Sequence, residues 1–191
     1  MEHLPRIVEG EIADLRTGGV SAIAIDGAKG VGKTVSASRF TDRRYLLDQP
    51  DDLERFLASP HAAVSGPGAI LIDEWQRYPP SWDLIRRAVD SPSSSASFVL
   101  TGSASDPTAN IHSGAGRIVS VRMRPLSLAE RGFDAAVSLT AMLDSRQPTL
   151  DAESTVDLAT YAEEIIRGGL PGRDPFDHLR VVRVRLLRDY A

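Results

Sequence analysis

Cysteine is absent from the 191 residues, which excludes disulfide frameworks, zinc–thiolate sites and cysteine nucleophiles. Aromatic residues are sparse, at 6%. No run approaches the roughly 20 apolar residues that a membrane span requires. Residues 1–10 carry charge early and lack an apolar stretch, which argues against a signal peptide. The expectation is a cytoplasmic protein without membrane contact. Formal net charge is −4, so no global attraction draws the chain to nucleic acid, although local basic patches leave that question open. His3, His61, His112 and His178 show no metal-ligand spacing. No Gly-x-Ser-x-Gly elbow is present.

What remains is ordinary for a globular domain: 42% hydrophobic and 25% charged residues, in a chain long enough to bury a core unaided. Apolar runs bounded by turn residues recur as a parallel α/β sheet would order them. Strands are read at Val20–Ile25, Arg44–Leu47, Ala69–Ile72, Phe98–Leu100 and Ile118–Val121. Helices are read from Lys33 to about Phe40, at Asp52–Ala58 and at Ser81–Asp90, the last with Trp82, Ile85 and Val89 on one face. Ala104–Gly116 reads as a mobile polar loop. Beyond Pro125 the pattern turns helical, broken at Gly168–Gly172, with a last helix over Phe176–Tyr190.

One segment carries the chemistry. Gly27-Ala28-Lys29-Gly30-Val31-Gly32-Lys33-Thr34 fits G-x-x-x-x-G-K-[ST] after a strand and before a helix, the context that motif needs. A polyphosphate requires several converging N–H donors, and glycine lets backbone wrap closely around it. The helix start, through Val35, turns its positive end toward the same anion. Lys33 supplies a point charge for the β- and γ-phosphates, and the Thr34 hydroxyl is a candidate Mg²⁺ ligand. The competing reading is a glycine-rich turn before an ordinary helix.

A second signal is Ala69-Ile70-Leu71-Ile72-Asp73-Glu74. A buried strand ending in acids sets carboxylates at the sheet edge where such folds bind ligands. Asp73 is the candidate to hold Mg²⁺ through water, and Glu74 the candidate base for an attacking water. Thr101, ending the fourth strand, reads either as a γ-phosphate sensor or as an ordinary strand-end threonine. Arg117 reads either as an arginine finger reaching a neighbouring subunit or as a solvated or carboxylate-paired arginine, with Arg122 and Arg124 as competing fingers. The single asparagine, Asn110, is not followed by the Lys-x-Asp that reads guanine. No Ser-Gly-Gly transporter signature occurs either. Trp75 and Trp82 read as core or rim aromatics, and the arginines of the last segment as a solvated face or a subunit contact, with DNA contact the lesser alternative.

On these residues the chain resembles a largely uncharacterised group of prokaryotic ATP-binding proteins with an AAA-type domain. The resemblance runs from Leu4-Pro5-Arg6-Ile7 through the glycine loop, Leu71-Ile72-Asp73-Glu74-Trp75-Gln76 and Leu100-Thr101-Gly102-Ser103. It continues through Gly116-Arg117, Pro125-Leu126-Ser127-Leu128-Ala129-Glu130 and Gly168-Gly169-Leu170-Pro171. It implies a three-layer P-loop NTPase fold with a five-stranded, mainly parallel sheet in which one strand separates the phosphate loop from the Asp-Glu strand. It also implies adenine near Pro5–Ile7 and a C-terminal domain of unknown role after the Gly-Gly-Leu-Pro segment. Gly172 departs from the acid often found there.

The resulting expectation is an ATPase core at residues 1–135. Residues 136–191 would be a helical segment, a lid or the start of a further domain, in a chain that reads as a piece of something longer. The expected activity is Mg-dependent ATP hydrolysis driving conformational change, with a homo-oligomer or protein partner. The alternatives are a slow nucleotide switch that recruits protein or DNA, and a small-molecule phosphotransferase.

Overall fold

Ala22–Ile25 and Ala69–Ile72 are apolar at every position, a pattern suited to strands covered on both faces. The computed structural model, which describes residues 3–92, 95–103, 116–133, 143 and 156–171, makes both of them interior strands of one sheet. In chain order the elements are α1 (Ile7–Thr17), β1 (Ala22–Gly27), α2 (Lys33–Ser38), β2 (Arg43–Leu46), α3 (Pro50–Ala58), α4 (Pro60–Ala63) and β3 (Gly68–Asp73). A 3-10 turn (Trp75–Arg77), α5 (Pro80–Asp90), β4 (Ala96–Ser103) and β5 (Val119–Met123) follow. The strand order is β2-β3-β4-β1-β5, and every neighbouring pair is parallel. β4 therefore separates β1, which feeds the glycine loop, from β3, which ends at Asp73. This is the α/β fold of P-loop NTPases.

Burial follows from the strands' places. β1 and β3 are buried almost throughout, whereas edge strand β5 alternates, with Val121 and Met123 inside and Ser120 and Arg122 outside. One sheet face presents Ala22, Ala24, Ile70, Ile72, Phe98 and Leu100 to Phe56, Trp75, Trp82 and Ile85. Trp75 and Trp82 are core residues, their rings 4.9 Å apart. α3 and α5 each start on a proline, which is pre-set for a helical φ and whose missing N–H costs nothing at that position.

Three differences from the sequence reading concern element limits. β4 begins at Ala96 and runs through Thr101-Gly102-Ser103 rather than stopping at Leu100. A one-turn helix, α4, follows Ser59 directly. α1 has no counterpart in the reading. It fully buries only Val8 and Ile12, lacks a side-chain cap at Arg6 and carries Gly10 in its interior, so propensity argues against it and packing decides. Most of the expected loop after Ser103 and all of the expected last helix lie outside the described residues.

The chain divides into two compact units, residues 1–124 and 125–191. In the second, α6 (Leu158–Arg167) is capped by Asp157, whose carboxylate accepts the Thr160 N–H at 2.8 Å. The Leu126 N–H donates to the Gly169 carbonyl at 2.7 Å. A side chain at Gly169 would strike the Leu126 backbone. Arg131 forms an ion pair with Glu164 and donates to the Gly168 carbonyl at 2.9 Å. The Pro-Leu-Ser-Leu-Ala-Glu and Gly-Gly-Leu-Pro segments thus lock together. Among the described residues, no helix is long and apolar enough to cross a membrane.

Gly102 is the tightest point beside β3. An added Cβ would lie 2.6 Å from Trp75 Nε1 and 2.9 Å from Gln76 Oε1, and Trp75 is pressed against Trp82. Gly102→Ala is expected to cost about 1–3 kcal/mol, the usual penalty of overpacking, and to lower Tm by several degrees in calorimetry. An unchanged Tm would show that the indole retreats freely.

Candidate nucleotide-binding site

The loop between β1 and α2 takes its shape from its own residues. Gly27 passes so close to β5 that any Cβ would enter the Met123 carbonyl. Gly30 and Gly32 have φ of 79° and 103°, a region open to glycine at little cost. Between them Val31 is fully buried, which pins the middle of the loop to the core. Ala28 is half-buried, while Lys29 and Val35 face outward. Arg6, itself buried, donates through Nη1 to the Val31 carbonyl at 2.8 Å and through Nη2 to the Arg124 carbonyl at 2.7 Å.

Lys33 is buried, and its ammonium donates to the carbonyls of Gly27 at 2.9 Å and Ala28 at 3.1 Å. Burial pushes its pKa down, while Glu74, Asp73 and Asp26 pull it back up. Asp73, also buried, accepts at Oδ1 from the Thr34 hydroxyl at 2.8 Å, and the same oxygen accepts from the Thr101 hydroxyl. Two hydroxyls from different elements thus converge on one carboxylate.

The Thr34 hydroxyl and the Asp73 carboxylate are hard oxygen donors within 3 Å of each other. Among the described residues no group of three acids or histidines forms a cage. That donor-poor arrangement fits Mg²⁺, which keeps several waters and leans on substrate phosphates rather than on an all-protein shell.

Glu74 follows Asp73 with φ 53° and ψ 47°. It is the one non-glycine residue at positive φ among those described, a conformation that clusters at functional sites. Its carboxylate accepts from Gln76 Nε2, which also donates to Ser103 Oγ at 3.1 Å.

Arg117 is not brought to the loop. β5 runs parallel to β1, with Met123 opposite Gly27, so a residue preceding Val119 lies at the other edge of the sheet. There Arg117 Nε donates to both oxygens of Asp90, at 2.6 and 2.8 Å. Within one chain Arg117 is thus carboxylate-paired, whereas the finger reading concerns a neighbouring subunit. Arg122, opposite Asp26, sits at the loop's edge of the sheet.

Three residues of this region were not singled out from the sequence: Arg6, Asp26 and Gln76. Arg6 and Gln76 stand inside segments that carry the family resemblance. Asp26 is the lone charge in β1, directly before the loop.

A parallel sheet with a glycine loop and lysine at one strand end, and a hydroxyl-bound aspartate two strands away, defines a P-loop NTPase-like domain. The chain belongs to the AAA domain family, whose model matches residues 20–132, and is thereby a nucleotide-binding, ATPase-like domain. It is also similar to uncharacterized proteins of Mycobacterium bovis and Mycobacterium tuberculosis. Each is 32% identical over 152 residues, covering 75% of this chain. The chain spans 34% of the length of these relatives.

Burial raises the Asp26 carboxyl above the usual carboxylate value, and Arg122 and Lys33 only partly offset that. A raised folded-state pKa means protonation favours the fold. The contribution is fully present below the unfolded value of about 4 and is lost as pH climbs through the folded one. Asp26→Asn, neutral throughout, should therefore raise Tm at pH 7, and the gain should shrink to nothing on acidification below about pH 4. A lower Tm for the variant at pH 7 would mean that the two cations outweigh burial.

Proposed function

We propose that this domain binds Mg-ATP and hydrolyses it, coupling nucleotide state to conformational change in whatever is joined to it. The observation that carries the reading is the convergence of Thr34 and Thr101 on Asp73 beside the buried Lys33. In a structural turn a buried lysine would have no reason to stand among three carboxylates.

In this reading the amides of Gly27–Thr34 enclose the phosphates and Lys33 turns from the loop carbonyls toward them. Thr34 and Asp73 would hold Mg²⁺, which when bound neutralises charge on the β- and γ-oxygens. Glu74 accepts a proton from a water whose oxygen bonds to the γ-phosphorus while the bond from phosphorus to the β–γ bridging oxygen breaks. The products are ADP and inorganic phosphate, and the proton passes from Glu74 to phosphate or solvent. Thr101, fixed on Asp73, stands between the loop and Glu74 and is suited to register the γ-phosphate.

A second reading is a switch that holds ATP and turns it over slowly alone, recruiting a protein or DNA partner. It is favoured by Arg117 being paired with Asp90. An arginine from elsewhere would then complete the site, and among the residues at the loop's edge Arg122 is the candidate.

Thermal shift and continuous phosphate release test both. Mg-ATP at about 100 times its Kd should stabilise the fold by about 2.7 kcal/mol, Mg-GTP should do so less, and Lys33→Ala should abolish the effect. Glu74→Gln should keep the shift and lose turnover by about 10²- to 10⁴-fold, the usual worth of a general base. A parent that ignores Mg-ATP removes both readings, whereas tight binding with negligible release selects the switch. Both lysines, Lys29 and Lys33, lie in the loop. Amine-reactive labelling read by mass spectrometry should therefore show Lys29 protected by Mg-ATP.

A further inference from the structure

Glu74 alone does not specify a base. Its backbone is left-handed, its carboxylate is half-buried, and a carboxylate free to rotate would offer a water no fixed acceptor. The next turn supplies the missing constraint. Gln76, in the 3-10 turn Trp75–Arg77, sends both of its amide hydrogens to named acceptors, the Glu74 Oε2 and, at 3.1 Å, the Ser103 Oγ. Two donors on one planar nitrogen, each with its own acceptor, fix the plane of the amide and with it one oxygen of Glu74. The amide oxygen of Gln76 is buried and has no hydrogen-bond partner among the described residues. The side chain is thus placed by what it donates to, with its carbonyl left unsatisfied, and in native proteins such a buried orphan calls for a reason.

The strand end explains how this arrangement is built. Thr101 and Ser103 lie two apart on β4, and so on the same face. Thr101 reaches Asp73 directly, and Ser103 reaches Glu74 through Gln76. Gly102 between them leaves the space that Trp75 and Gln76 occupy, since a Cβ there would stand 2.9 Å from the Gln76 oxygen.

We propose that Gln76 is a positioning residue: by bridging Ser103 and Glu74 it holds one carboxylate oxygen of Glu74 and leaves the other aimed at the attacking water. The inference rests on the hydrolysis reading above and deepens it. Gln76 touches no reacting atom. Its loss therefore lowers the rate of proton removal from water and leaves the grip on the phosphates intact.

The test uses the whole chain and measures KM and kcat for Mg-ATP by phosphate release, with Kd from thermal shift. Gln76→Met keeps the length and apolar bulk of the side chain without its donors. The expected result is a Kd and KM within about twofold of the parent and a kcat lower by about tenfold or more, a part of the roughly 10²- to 10⁴-fold that a general base is worth. Gln76→Asn, one methylene too short to bridge both acceptors, should fall between and guards against a variant that fails to fold. Ser103→Ala should lower kcat in the parent and have no further effect in the Gln76→Met background, as coupled groups behave. The inference is overturned if Gln76→Met turns over at the parent rate, if its loss appears in KM alone, or if the Ser103→Ala effect is simply additive. A parent that binds Mg-ATP and releases no phosphate would overturn the hydrolysis reading and this inference with it. A parent that turns over beside an unaffected Gln76→Met removes the inference alone.

Discussion

The Asp73 carboxylate is the point on which the rest of the site depends. A buried carboxylate is costly unless it is hydrogen-bonded, and this one obtains its bonds from Thr34, at the start of α2, and Thr101, near the end of β4. Satisfying one charge therefore ties together three strand ends, because α2 follows β1 through the glycine loop. The strand order makes this possible: with β4 between β1 and β3, Thr101 faces Asp73 from the adjacent strand. Loss of either hydroxyl would leave the buried Asp73 Oδ1 with one donor in place of two.

Close approach is the second constraint, and glycine enforces it in two places. At Gly27 the β1 strand end meets the Met123 carbonyl of β5, and at Gly102 β4 meets the Trp75–Gln76 turn. These contacts bracket the site, one beneath the loop and one beneath Glu74. Arg6 adds a tie from outside the sheet, since its guanidinium joins the loop at Val31 to the end of β5 at Arg124. The loop is therefore braced by α1's leading residue as well as by its own buried valine.

Much of this was legible in the residues, for identifiable reasons. Buried parallel strands are apolar throughout, so β1 and β3 declared themselves, and with them the loop and the acids at their ends. Thr101 was singled out because the apolar run stops just before it, although β4 continues to Ser103. α1 was not, since only Val8 and Ile12 become fully buried and Gly10 weakens the pattern. The roles of Arg6 and Gln76 depend on partners at distant positions, and spacing carries no trace of those meetings. Arg117 is the instructive case. A residue that precedes a parallel strand lies at the edge away from the ligand crevice, so its place before Val119 already set it opposite the loop. Within the chain the fold makes it a partner of Asp90.

Charge explains why a divalent cation belongs to the proposed chemistry. Around the loop stand the carboxylates of Asp26, Asp73 and Glu74, against the cations of Lys33 and Arg122. With Lys29 in the loop and Arg6 bonded to it at the Val31 carbonyl, the bases are no fewer than the acids before any ligand arrives, and a polyphosphate tips the balance to negative. At separations of a few ångströms, in a medium less screening than water, like charges repel by several kcal/mol (about 4 at an effective dielectric of 20 and 4 Å). Lys33 alone cannot offset that, since one ammonium faces three carboxylates as well as the phosphates. In the proposed reading a divalent cation held by Thr34 and Asp73 would supply the positive charge that relieves this repulsion. On the proposed reading the ligand is therefore the Mg²⁺ complex of the nucleotide and not the bare triphosphate.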